Sequence, residues 1–541
     1  MAVGATMGPD AKTLAGVVAQ TALAAPASPA IFHSGRVVSY GELLSRSQQA
    51  ARALLSCGVR CGDRVGVLMG NEPDWVVLAL AASQIGALFV PLNTWYKRDE
   101  LAWTLRHCGI SLLVSAGRYL KTDYVRLFQE LLPDFSIGGA ASLLPELRTL
   151  VFKGQAPRGT LSWEEFLGSG NGVSAQSLST AQALVDPETP AFLLYTSGST
   201  ADPKGVLLRH RGIVENGWAL GQRREILAQD RVWLGTPLFY ALGATNAMPA
   251  ALTAGAALIL QDSFDPGLAI QTIQDLEASV YYGAGNMART IVDHPDFSRA
   301  RIGSLQKGNA GLGAEYKRLT LVEMGIRRAV PAYGLTETYG NCAVGSPDDP
   351  LDVKLSTDGK PLPGMEIVIV DPETGAAVQP GQPGLILVRG HITAGYLNNP
   401  AETAKALRAD GFFDTGDLGR MDGEGRLVFL SRFKDVIKSS GINVSPGEVE
   451  QLLSAHPDVR DAYVVGLPHA ARGELIVAFV DRVNAVSEST LCAYVKEKAA
   501  SFKVPHHILF RTEAQLPRLA SGKVAKYRLA EEARRELGVG A

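Results

Sequence analysis

Between Tyr40 and Ser115 the chain switches repeatedly between two hydrophobic periods, and this alternation restricts the fold more than any single residue does. Tyr40–Cys57 carries apolar residues at helical spacing, Asp63–Leu68 reads as a strand, Trp75–Gln84 as a helix and Ala87–Val90 as a strand; Leu101–His107 is again helical and Leu112–Ser115 a strand. Side chains recur every 3.6 residues on a helix face and every second residue on a strand, so the two patterns are distinguishable. Short apolar strands separated by helices predict crossover connections and largely parallel sheets. The pattern returns with a helix after His210, a strand at Leu258–Leu260, a helix at Pro266–Glu277 and a strand at Val280–Tyr282.

At 541 residues the chain exceeds one hydrophobic core, which predicts two or more domains. From about Ile367 the texture changes to short strands and turns (Ile367–Val370, Gly384–Arg389), and Leu418–Leu430 reads as a hairpin turning at Asp422-Gly423-Glu424-Gly425. This predicts a small β-rich subdomain. Ser431-Arg432-Phe433-Lys434-Asp435 is charged, and a boundary is placed there: residues 1–431 as a large N-terminal domain, 432–541 as a small C-terminal one. In the latter, Pro446–Ala455 is a helix with Ser445 at its N-cap and proline at N1, and Val459–Gly466 and Leu475–Val480 are strands. Leu167–Gln182, low in complexity, is expected to be a flexible surface loop.

A formal net charge of −2 lacks the basic excess of a non-specific nucleic-acid binder. The most apolar stretch, Trp75–Leu92, is interrupted by Ser83, Gln84, Gly86 and Pro91, and reads as a buried helix running into a strand rather than a membrane span. Cys57 and Cys61 have the spacing of half a zinc site, but no second Cys/His pair follows. Five sparse cysteines suit a reducing compartment, and the N-terminus has no basic segment leading into an apolar one, so a cytoplasmic protein is expected.

Tyr195–Val206, YTSGSTADPKGV, is the segment richest in chemistry. Thr196, Ser197, Ser199 and Thr200 supply hydroxyls, glycines including Gly198 admit close backbone approach, and Lys204 adds a compact positive charge. These are the means of wrapping an oligophosphate. The spacing is not that of a Walker A loop, and Gly/Ser/Thr/Pro clusters also mark ordinary turns, so the loop alone leaves both readings open.

Four further segments follow in order: Tyr333-Gly334-Leu335-Thr336-Glu337, Asp414-Thr415-Gly416-Asp417-Leu418, Ser431–Glu450, and Pro517-Arg518-Leu519-Ala520-Ser521-Gly522-Lys523. Together with the loop, this series resembles the adenylate-forming superfamily of acyl-CoA synthetases, adenylation domains and luciferases, from about Leu14 to Leu529. The resemblance implies an α/β fold with a large N-terminal domain of mixed sheets flanked by helices, a β-rich subdomain, and a small mobile α+β C-terminal domain. It implies an ATP- and Mg²⁺-dependent acid–CoA ligase. A carboxylate attacks the α-phosphate of ATP, giving acyl-adenylate and pyrophosphate, and the thiol of coenzyme A then displaces AMP. Two anions meet in the first step, so charge neutralisation and positioning should dominate.

On this resemblance Thr196, Ser197, Gly198, Ser199, Thr200 and Lys204 hold the β- and γ-phosphates; Thr336 bonds the α-phosphate; Glu337 takes Mg²⁺; Asp417 and Arg432 hold the ribose. Tyr333 and Gly334 face adenine opposite Gly311 and Gly313, and Lys523 bridges carboxylate and α-phosphate. Lys434 is the hinge, and Lys438, Ser440 and Gly441 approach the pantetheine arm. Pro517–Lys523 also fits the family pattern for lysine acetylation, so the resemblance implies an acetyltransferase and a deacetylase acting on Lys523 as partners.

The chain departs from the family pattern at Ala201, Pro331, Tyr240 and Arg472, where glycine, asparagine, histidine and tryptophan are usual. The acyl pocket is expected among Tyr240, Gly243, Ala244, Tyr281, Tyr282, Gly283, Asn309, Ala310 and Gly311. With no obvious cation there, a neutral aromatic or short-to-medium aliphatic acid is expected. The same motifs would serve an enzyme loading a carrier-protein phosphopantetheine. A nucleotide-binding scaffold without turnover is a third reading, against which Lys523 and Glu337 argue.

Overall fold

The computed structural model describes residues 8–133, 142–196, 203–439, 442–469, 472–499, 501–518 and 524–538. Two large mixed sheets dominate. In one, the strands beginning at residues 395, 204, 190, 88, 64, 112, 149 and 161 lie side by side; in the other, those beginning at 360, 343, 328, 307, 280, 231, 257, 29 and 36. The central strands of each are parallel, and antiparallel pairs close the ends, as at Pro190–Thr196 with Lys204–Arg209 and at Pro29–His33 with Arg36–Ser39. The helix Pro73–Ile85 is buried from Asp74 to Ile85. An element apolar all round is stable only when covered on every side, which explains why this hydrophobic stretch ends inside the protein. Among the described residues, no helix is long and apolar enough to cross a membrane.

An antiparallel sheet orders the strands Glu366–Val370, Gly384–Arg389, Phe413–Met421 and Leu427–Arg432. It is the β-rich subdomain, and its last hairpin turns at Asp422–Gly425, where Gly425 has φ +75°. Beyond it, Phe433–Asp435 forms a single 3₁₀ turn, and the strands Ile437–Ser439, Ile442–Val444, Val459–His469, Gly473–Arg482 and His507–Phe510 form their own sheet. That sheet is covered on both faces: Val449, Leu453 and Leu491 join one apolar cluster, Leu516, Leu529 and Ala533 another.

One local expectation is corrected and another, the N-cap at Ser445, holds in position but not in side-chain bonding. Leu167–Gln182 is ordered: a 3₁₀ turn at Gly170–Gly172 leads into the helix Ala175–Ala183, capped by Ser174, whose Oγ accepts from the Ser177 amide at 3.0 Å. Leu178 is buried, and a Cβ on Gly170 would lie 2.6 Å from the Ala53 amide nitrogen. One of the serines that made the segment look loose, Ser174, is a helix cap, and the Ala, Gln and Leu that follow are good helix formers. Ser445 does precede the helix Pro446–Ser454, but its side chain caps nothing; its Oγ instead donates to Ser431 Oγ at 3.1 Å.

Candidate active site

The strand Pro190–Thr196 delivers Thr196, and its hairpin partner begins at Lys204, paired with Thr196 in register. Ser197, Gly198, Ser199, Thr200 and Ala201 lie outside the described residues. Lys204 Nζ meets Glu402 Oε2 at 2.6 Å and lies 5.1 Å from the Tyr396 ring centre. Hydrogen bonds from Lys204 and then Lys405 lower the Glu402 carboxyl to about 2, so it stays ionised at any working pH.

The strand Arg328–Tyr333 leads into Gly334 and the 3₁₀ turn Thr336–Thr338. Only glycine fits at 334, since a Cβ would lie 2.5 Å from Asn341 Cα. The turn presents Glu337, whose Oε1 accepts from the Tyr396 hydroxyl at 2.8 Å. Burial, and then Glu337 itself, raise the Tyr396 phenol pKa, so it remains a donor. Thr336 lies in the same turn, and Tyr396 links Glu337 to the strand carrying Lys204, whose Val206 pairs with it.

Tyr333 is fully buried. Its ring stacks on Phe429 at 5.6 Å and its hydroxyl donates to Asp417 Oδ2 at 2.6 Å. Burial, reinforced by Asp417, holds this phenol far above its usual pKa. Asp417 Oδ1 meets Arg432 Nε at 2.9 Å, and Arg432 Nη1 donates to the Thr415 carbonyl at 3.2 Å. Gly311 and Gly313 have φ of +75° and +97°, a conformation that admits glycine without strain. Tyr316, just beyond them, receives Arg518 Nη1 on its hydroxyl at 3.4 Å, which brings the segment before Lys523 up to this loop. Lys523, Ser440 and Gly441 lie outside the described residues, as do the side chains of Lys434 and Lys438.

The expected acyl-pocket residues divide. Tyr240 stands with Phe239 and the exposed Trp95, ring centres 4.8 and 5.8 Å away, over a narrow cleft shared with Tyr96 and Tyr195. Gly243 packs on backbone, 2.7 Å from Pro237 O were a Cβ present, and Ala310 is buried. Tyr281 is not a pocket residue: successive strand side chains point to opposite faces, and it stacks on Trp233 at 5.4 Å in a separate core. Tyr282 and Asn309 join a buried polar network centred on Arg224, which is 0% exposed. Arg224 Nη1 donates to Asn246 Oδ1 at 3.0 Å and to the Tyr282 hydroxyl; Nη2 reaches Asn341 Oδ1 at 3.1 Å and Asn309 Oδ1 at 3.4 Å. Arg224 is thus a cation in contact with two of the expected pocket residues, Tyr282 and Asn309, that the neutral-acid expectation did not consider. In the sequence Arg223-Arg224-Glu225 looks like an ordinary charged helix end, and no local signal separates it from one. Tyr396 and Glu402 were likewise missed, because their roles depend on pairing with distant segments.

A fold of two mixed sheets, a β-rich subdomain and a separately cored C-terminal sheet, with Lys204, Tyr333–Glu337 and the hairpin of Asp417 and Arg432 on three segments far apart in sequence, defines an adenylate-forming enzyme. The family model for AMP-binding enzymes matches residues 18–397, that for the AMP-binding enzyme C-terminal domain matches 448–523, and the chain belongs to this family. It is 31% identical over 533 residues to the putative acyl-CoA synthetase YngI of Bacillus subtilis (strain 168), covering 96% of this chain and 97% of that one. It is 30% identical over 525 residues to the mitochondrial medium-chain acyl-CoA ligase ACSF2 of Rattus norvegicus, covering 94% and 85%. The crystal structure of the anthranilate CoA ligase AuaEII in complex with anthranoyl-AMP superimposes with a TM-score of 0.82 at 25% identity, covering 97% of this chain and 98% of that one. The protein is an AMP-forming acid–CoA ligase.

Proposed function

We propose that this ligase activates a small carboxylic acid beside Lys204, Glu337 and Asp417, with the roles that the family resemblance implies distributed over the residues described. Asp417 and Arg432 hold the ribose, and Tyr333 positions Asp417 and borders adenine. Thr196 and Lys204 grip the terminal phosphates, and Thr336 the α-phosphate. One observation carries this reading: the Tyr396 hydroxyl on Glu337 and the Lys204 ammonium near the Tyr396 ring tie the acidic turn to the phosphate-loop strand.

Glu337 suits Mg²⁺. It offers a hard carboxylate oxygen, held by one hydrogen bond, and no cation among the described residues pairs with it. No cluster of three acidic, His or Cys side chains occurs among the described residues, which fits an ion held by one carboxylate and substrate phosphates. When bound, Mg²⁺ would neutralise charge developing on the phosphates.

Lys523 is assigned the bridging role between the two anions, with residues from about 432 onward turning about Lys434 between half-reactions so that Lys438, Ser440 and Gly441 meet the thiol. The contact of Arg518 with Tyr316 supports approach of that segment in the first half-reaction. Acetylation of Lys523 would delete its charge and silence adenylation. The five unpaired cysteines suit a reducing cytoplasm. The decisive experiment is a pair of assays on Lys523→Ala: acyl-adenylate formation should collapse, while thioester formation from supplied acyl-adenylate persists. Equal loss in both would remove Lys523 from its role.

A further inference from the structure

We propose that Arg224 is a specificity-determining residue, and that the preferred acid carries a second oxygen acceptor, a carboxylate foremost, at the far end of its acyl group. The proposal rests on the ligase reading and on the acyl group entering beside Tyr282 and Asn309.

Arg224 is 0% exposed, and no carboxylate among the described residues pairs with it. Almost every buried guanidinium is matched by an anion, because removing a charge from water is costly and neutral groups compensate only in part. Here the donors are met by the neutral oxygens of Asn246, Asn309, Asn341 and Tyr282, while Nε, equally buried, meets no acceptor among the described residues. Cross-linking these neutral oxygens uses the Nη donors but gives no reason for an unmet Nε on a residue that caps the helix His210–Arg223.

The position gives the reason. Tyr282 ends one strand and Asn309 lies in the middle of its neighbour Lys307–Gly311, and Asn309 Oδ1 also accepts from the Gly311 amide at 3.3 Å, which joins the network to the loop assigned to adenine. Asn246 follows Gly243 on the turn Leu242–Ala247, and Asn341 packs against Gly334. Four segments that border the candidate pocket thus converge on one cation. A planar guanidinium with fixed donors reads a carboxylate in two parallel hydrogen bonds and a keto oxygen in one. An acid ending in a methyl group would instead leave the unmet donor facing hydrocarbon, and sites built for hydrogen bonding reject such analogues strongly.

The test is pyrophosphate release measured with matched acids that differ only at the distal end: methyl, keto or carboxylate. The wild type should favour an oxygenated acid over its methyl counterpart by at least tenfold in kcat/KM, and the ranking of keto against carboxylate identifies the group read. Arg224→Met and Arg224→Lys should erase or shrink that ratio mainly through KM. A structural arginine would lower the rates for all acids together and leave the ratio intact, which overturns the proposal. Should both variants fail to fold, the wild-type ratio still decides, since preference for the methyl-ended acids overturns it. Absence of release with every acid overturns the ligase reading itself, a result distinct from release with methyl-ended acids alone.

Discussion

Asp417 and Arg432 are register partners across the hairpin Phe413–Met421/Leu427–Arg432, and their side chains meet at 2.9 Å on the side where Tyr333 also reaches Asp417. Asp417 is buried and Arg432 half-exposed, so the pair fixes the carboxylate while leaving the guanidinium reachable from the boundary with the C-terminal sheet. Two directional partners hold one carboxylate in one orientation.

Asp417→Asn should therefore weaken both fold and nucleotide binding. The variant keeps the shape but loses a charge-assisted hydrogen bond, worth about 1.5–3 kcal/mol. The KM for ATP should rise by roughly tenfold or more, since 1.4 kcal/mol is a factor of ten. Tyr333→Phe should give a smaller rise in the same direction. Steady-state kinetics at varied ATP checks both, and a KM that rises for the acid alone would contradict the ribose assignment.

Tyr396→Phe separates orientation from ligation at Glu337. The variant keeps the carboxylate but removes the hydroxyl that holds Oε1. Removing a partner that orients a metal ligand typically costs about 10–100-fold in metal affinity. The Mg²⁺ concentration for half-maximal pyrophosphate release should rise about tenfold, with activity recovered at high Mg²⁺. Glu337→Gln should not be rescued in this way.

Periodicity made the α/β core legible because strands such as Leu112–Ala116 and helices such as Tyr40–Ser56 owe their form to local patterning. The charged run Ser431–Asp435 holds a 3₁₀ turn at Phe433–Asp435, between the antiparallel sheet and the last one. The ordering of Leu167–Gln182 was not, since a serine cap and a serine-rich loop have the same composition and differ only in what Leu178 packs against. The candidate site was legible where chemistry lies within one segment, as in Thr336-Glu337. It was illegible where function depends on pairing across the fold: Tyr396 with Glu337 lies 59 residues away, and Arg224 with Asn341 is separated by 117. Tyr281 and Tyr282 look alike in sequence, and only the pleat assigns them to different cores.

Gly334→Ala tests whether the loop before Thr336 tolerates any side chain. The added methyl would lie 2.5 Å from Asn341 Cα and 2.7 Å from the Gly340 carbonyl, both backbone atoms that cannot swing aside. Overpacking costs about 1–3 kcal/mol, and a backbone neighbour puts this site at the upper end. Because Asn341 also belongs to the Arg224 network, the variant should lose activity beyond its loss of stability. A thermal-unfolding midpoint unchanged from wild type would show that the loop relaxes freely.

His210 should make the large domain acid-sensitive. It begins the helix His210–Arg223, is buried, and its Nε2 meets no hydrogen-bond partner among the described residues. Burial lowers its pKa to about 4 from 6.5. Above pH 6.5 the ring is neutral whether folded or not, and it adds no pH dependence. As pH falls from 6.5 toward 4, the unfolded chain takes up a proton that the folded chain refuses, so stability drops; below 4 both states are protonated and the drop ends. The full effect is on the order of 3 kcal/mol at most. His210→Gln removes the titrating group, so the difference in unfolding free energy between wild type and variant should shift against the wild type between pH 6.5 and 4. Urea unfolding at several pH values measures it, and a difference independent of pH would mean that His210 is protonated as readily in the folded protein as in the unfolded chain.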